Sequence, residues 1–155
     1  MLLYLDLDYG YDNFLITKTI PSINDTVNSL TAFLDITFTE FIGLLTSTGN
    51  ITIYKASDNS IRQRVSATMH NFCKISVYDF VHTISIKVIN STFNEYGEQY
   101  FVTMDNNFVK RDFGDEPLRG IHDGIWILKT LDLDDRKIKL LWAQFFLLQK
   151  LPKNS

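Results

Sequence analysis

Ile75-Ser-Val-Tyr78 followed by Val81-His-Thr-Ile-Ser-Ile-Lys-Val-Ile89 decides the fold class of this chain. Both runs are β-branched and alternate apolar with polar residues, the period of two expected when one face of a strand is buried and the other meets solvent. Only Asp79 and Phe80 separate them, so the two segments read as one long strand or two bent ones. The sequence continues in the same manner. Gln99 to Met104, Asp105-Asn-Asn107 and Phe108 to Phe113 read as a hairpin, because Asp and Asn tolerate the left-handed backbone of a tight turn. Ile125 to Leu131 is a further strand, after an irregular stretch from Gly114 to Gly124. Strands in succession, without alternating helices, predict a mainly antiparallel sheet.

Toward the N-terminus, Leu3, Leu5 and Leu7 alternate with Tyr4, Asp6 and Asp8 and predict a strand, followed by a turn over Asp8 to Asn13 and a second extended segment from Phe14 to Ile20. Pro21 ends it. Ser22 with Asp25 resembles a helix N-terminus, and Ile23, Val27, Leu30 and Leu34 then recur at helical spacing. A shorter helix is predicted at about Thr39 to Leu45, with Phe38, Phe41, Ile42 and Leu45 on one side, before Ser47-Thr-Gly-Asn50 breaks it. Ile51 to Lys55 is a strand. The segment from Ile61 to Phe72 fits both periods, and the β-rich flanks favour strand. The chain closes with a helix from Asp132 to about Lys150, whose Ile138, Leu141, Trp142, Phe145, Phe146 and Leu148 form a broad apolar face, expected to pack on the sheet. The expected architecture is α+β: a mainly antiparallel sheet, one or two early helices, and a long C-terminal helix, in a single globular domain spanning residues 1–155.

Composition narrows the function classes. With 45% hydrophobic residues, 12 Phe and 7 Tyr, the chain has the material for a core. Cys73 is the one cysteine, so no intramolecular disulfide can form and a reducing compartment is expected. The first residues lack the basic n-region of a signal peptide, and no apolar run approaches the roughly 18 residues that span a bilayer, so the expected location is cytoplasmic with no membrane partner. The sequons at Asn24, Asn50 and Asn90 then carry no glycan.

Charge is unevenly distributed. Residues 1–60 hold two lysines, Lys18 and Lys55, against seven acids: Asp6, Asp8, Asp12, Asp25, Asp35, Glu40 and Asp58. An acidic field attracts basic surfaces and repels phosphate backbones. The basic residues Arg62, Arg64, Lys74, Lys87, Lys110 and Arg111 are interleaved with acids and read as an ordinary solvated face, so direct nucleic-acid binding is not expected. His70, His82 and His122 lack the paired spacing of a metal site, and neither a serine elbow nor a phosphate loop occurs, so no cofactor is expected. Cys73 lies in an apolar setting and reads as core, and the glycines around His122-Asp123 read as turn chemistry.

The segment Leu2-Leu-Tyr-Leu-Asp6-Leu-Asp8-Tyr-Gly10 resembles, over about eight residues, the N-terminal motif of haloacid-dehalogenase-like phosphatases. That resemblance implies a nucleophilic Asp6, an acid at Asp8 and a Mg²⁺ ion, within a parallel sheet. The chain departs from the pattern after Asp8: Gly10 stands two positions on, and no late Gly-Asp-X-X-X-Asp element follows. Asp6 and Asp8 as outward-facing strand residues is the stronger reading. The leading expectation is a non-catalytic binding or inhibitor protein that uses Asp6, Asp8, Asp12, Asp35, Glu40 and Asp58 to dock a basic protein, for example as an immunity protein neutralises a nuclease toxin. The alternatives are a small metal-dependent hydrolase using Asp6 and Asp8, and a structural or host-interaction protein whose function is a subunit interface.

Overall fold

A computed structural model describes residues 8–39 and 43–152. Among the described residues ten strands, all paired antiparallel, precede one helix: β1 (Ile16–Ile20), β2 (Phe33–Phe38), β3 (Leu44–Thr46), β4 (Asn50–Lys55), β5 (Ile61–Ser66), β6 (Cys73–Tyr78), β7 (Val81–Lys87), β8 (Gln99–Met104), β9 (Val109–Arg111), β10 (Ile121–Lys129) and α1 (Leu133–Gln149). Two four-stranded sheets, ordered β1-β2-β7-β6 and β10-β8-β4-β5, are joined by the short ribbon β3-β9.

The alternation read from sequence turns one face of each sheet inward. Ile16, Leu34, Ile36, Ile84 and Ile86 from the first sheet share one core with Ile51, Ile53, Tyr100, Val102, Trp126 and Leu128 from the second, which makes a β-sandwich. Gln63 stitches the layers together. Its amide on β5 donates to the Lys87 carbonyl at 2.8 Å, and its Oε1 accepts from the Ile89 N–H and the Thr92 hydroxyl. A buried polar side chain with each end occupied carries no desolvation debt.

No early helix forms among the described residues. Residues 21–32 form an irregular link with two tight turns along the outer edge of β10, where the Asn24 and Val27 N–H groups donate to Ile127 and Lys129 carbonyls at 2.7 and 2.8 Å. Local side chains take the remaining groups: Asp25 accepts from Ser22 N–H and Asn28 from Leu30 N–H, and Asn24 is left-handed. Asp, Asn and Ser offer the backbone these alternatives to a helix ladder, and a sheet edge supplies the rest. Of the four residues at helical spacing, Leu30 is 85% exposed, and Leu34 is buried as part of β2. The helix predicted at Thr39 to Leu45 is likewise absent from the part described; Leu44 and Leu45 open β3, and residues 40–42 lie outside the described residues.

Two further expectations are corrected. Residues 108–113 do not fold back on β8, because β8 is flanked on both sides by β4 and β10; β9 pairs instead with β3. The terminal helix forms as predicted but does not pack on the sheet. Trp142, Phe145 and Phe146 are 57%, 50% and 57% exposed. The physical reason is that the second sheet needs no cover there: its apolar face is already closed by the first sheet. The strand predicted at Leu3 to Leu7 lies outside the described residues, whereas β5 resolves the ambiguous 61–72 segment as strand, then turn.

Candidate interaction surfaces

Of the six acids singled out in the sequence, the four among the described residues, Asp8, Asp12, Asp35 and Asp58, do not form one patch. Asp6 and Glu40 lie outside the described residues. Asp8 and Asp12 share the exposed turn before β1. The Asp8 carboxylate accepts the Gly10 N–H at 2.9 Å, and Gly10 at φ +99° takes the left-handed conformation that this turn requires. Asp12 pairs with the Arg119 guanidinium, and the neighbouring Asn13 amide donates to the Arg119 carbonyl at 2.7 Å, so the turn is tied to the stretch before β10. Asp35 stands on the outer face of the first sheet, where the Ser85 hydroxyl donates to it at 2.5 Å. Asp58 sits in the β4–β5 turn, accepting the Ser60 N–H at 2.9 Å, and its hydrogen bonds from Ser60 hold its carboxyl below the usual range.

These positions are far apart. Arg119 adjoins Gly120, which lies against the Met104 carbonyl at one end of β8, while the turn carrying Asp58 lies by Gln99 at the other. The intervening strand spans roughly 17–20 Å. Around Asp58 the charge is locally balanced: Lys55 meets Glu95 at 2.6 Å and Glu98 at 3.8 Å, and the hydrogen bond that Lys55 donates to Glu95 pushes the ammonium pKa upward. Arg62 binds Glu95 at 3.2 Å and also donates to the Ser91 and Thr92 carbonyls and to Asn94, clasping the 91–95 loop to β5.

The residues weighed for chemistry are dispersed as well. Cys73 is buried in the core, and burial pushes its thiol up to about 11, which leaves it protonated at neutral pH. His122 is exposed on β10, within the break in the β8–β10 register between Ile121 and Trp126, where Gly124 takes a positive φ. Among the described residues, no three His, Cys, Asp or Glu side chains converge on a position that could hold a metal ion.

The largest departure from ordinary surface chemistry is α1. Leu, Lys, Arg, Gln and Ala, strong helix formers, make up most of it, with Asp132 at the N-cap in extended conformation (φ −66°, ψ 148°) and Pro152 just beyond its end. The rings of Trp142, Phe145 and Phe146 touch one another at centroid separations of 6.0–6.2 Å, yet meet no core. Leu140 and Leu147 on the opposite side are exposed too. A helix with large apolar side chains exposed beyond a single face is normally covered on more than one side. The sequence carried that signal in Leu140 and Leu147, which a helix lying on a sheet would turn to water. Among the described residues, no helix is long and apolar enough to cross a membrane. Comparison with protein-family models, with curated proteins and with solved structures finds no match.

Proposed function

We propose that this chain is a non-catalytic interaction protein in which the sandwich is a scaffold and α1 is the docking element. One observation carries the reading: the large apolar side chains of α1 from Ile138 to Leu148 are half or more exposed, on a helix joined to the sandwich by only three residues, Thr130 to Asp132. Exposed apolar surface on this scale marks interaction sites, since a typical soluble monomer confines its largest patch to a few hundred Å². A photo-reactive benzophenone amino acid in place of Phe145, irradiated in the native cell, should give a discrete adduct of higher mass. The same group in place of Lys74, on the outer sheet face, should give none. Adducts from Lys74 alone would overturn the proposal.

A second reading keeps the acidic dock for a basic partner such as a nuclease toxin, centred on the Asp8 to Asp12 turn. What favours it is that both carboxylates are exposed on one short turn. It draws no support from Asp35 or Asp58, which lie elsewhere on the surface.

A further inference from the structure

We infer that the occupant of the α1 face is the α1 helix of a second copy of this chain, packed antiparallel across a two-fold axis. This rests on the reading of α1 as the docking element and names its partner.

Ile138, Leu141, Trp142, Phe145, Phe146 and Leu148 are related to one another by steps of three, four and seven residues, as 138/141, 138/142, 141/145 and 141/148 show, and occupy one broad side of the helix. Each is half or more exposed. Together they present on the order of 700 Å² of apolar surface, close to the roughly 800 Å² per partner of a standard stable interface. A copy of the same face therefore supplies the matching area, and an isologous pair requires nothing else of the surface. The face holds no charged side chain at its centre. A basic protein would find no carboxylate there to pair with, whereas a second apolar face finds full complementarity.

Geometry fixes the direction. Packed helices lie 8–10 Å apart. With a root of three residues, a parallel pair would force two sandwiches to overlap at one end of the helices. An antiparallel pair places them at opposite ends of a helix of 17 residues, about 25 Å long, and sets the two macrodipoles against each other.

The test is the mass of the full chain in solution, by analytical ultracentrifugation at micromolar concentrations, for the parent and for the double variant Leu141→Glu/Phe145→Glu. The parent should sediment at twice the mass of the chain and the variant at once that mass, with the same sheet spectrum. In acrylamide quenching, the fluorescence of Trp142 should be shielded in the parent and open in the variant, against a constant background from buried Trp126. A monomeric parent overturns the inference. If that monomer sediments with vesicles of phosphatidylcholine and phosphatidylglycerol while the variant does not, α1 remains the docking element and its occupant is a lipid surface. If the monomer ignores vesicles and its Trp142 is nonetheless shielded, the helix packs on its own chain, and the docking reading falls with the inference. A parent dimer left intact by the double substitution would place the interface elsewhere and overturn the inference too.

Discussion

Trp126 and Trp142 show how far one residue type can diverge in consequence. Trp126 is fully buried between the sheets, and its indole N–H donates to the Pro21 carbonyl at 3.0 Å, so the ring both fills the core and anchors the link along β10. Trp126→Ala should cost about 3–5 kcal/mol, as large-to-small changes in a packed core do. Trp142→Ala removes a ring from solvent or from a neighbouring chain, and under conditions where the protein is monomeric it should change stability by less than about 0.5 kcal/mol. Urea unfolding of the two variants at low protein concentration makes the comparison. Equal losses would mean that α1 is part of the fold. The sequence displays both tryptophans in equally apolar surroundings; what separates them is the existence of a second sheet, which no local pattern encodes.

At the scale of elements, strands were legible wherever alternation was long, as in β7 and β8, because a period of two persists whatever the partner strand is. Pairing was not legible. The Asp105 to Asn107 turn has hairpin chemistry, yet β8 already has two neighbours and β9 goes to β3. The missing early helices have a similar cause, since Ile23 and Val27 can be placed by a sheet edge as well as by a helix face. The Asp8 to Asn13 turn was read correctly as a turn, and its charge is open to test. Asp8→Lys combined with Asp12→Lys removes the Arg119 ion pair, but exposed pairs of this kind contribute about 0–1 kcal/mol, so melting should shift by only a few degrees. If the turn docks a basic partner, the association rate should fall several-fold and lose its dependence on salt. Unchanged kinetics in stopped-flow mixing would remove the acidic turn from consideration as a docking site. The acids chosen from sequence were grouped by position along the chain, and the sandwich distributes that stretch over separate surfaces.

For the whole molecule, the buried thiol sets an alkaline limit. The pKa of Cys73 is raised from an ordinary 9.0 to about 11 by burial, so the native state retains a proton that the unfolded chain releases. Below pH 9 the group contributes no slope. From about pH 9 to 11, stability should decline with rising pH, by on the order of 2 kcal/mol in total, and the buried Tyr100 phenol, also raised by burial, acts in the same direction. Chemical denaturation at pH 8, 9.5 and 11 should show this decline diminished in Cys73→Ala; an identical slope in that variant would assign it to other groups. The order of the strands has a different kind of consequence, in the time during which the chain is made. β2 must wait for β7, β4 for β8, and the link at residues 24–27 for β10, its partner roughly a hundred residues downstream. Each wait leaves a strand edge open while the ribosome proceeds. Contacts that distant in sequence slow folding, so a nascent chain stopped before residue 121 holds a link with no edge to lie on. Arrested chains of increasing length should therefore remain protease-sensitive until β10 has left the exit tunnel, and then become resistant in a single step.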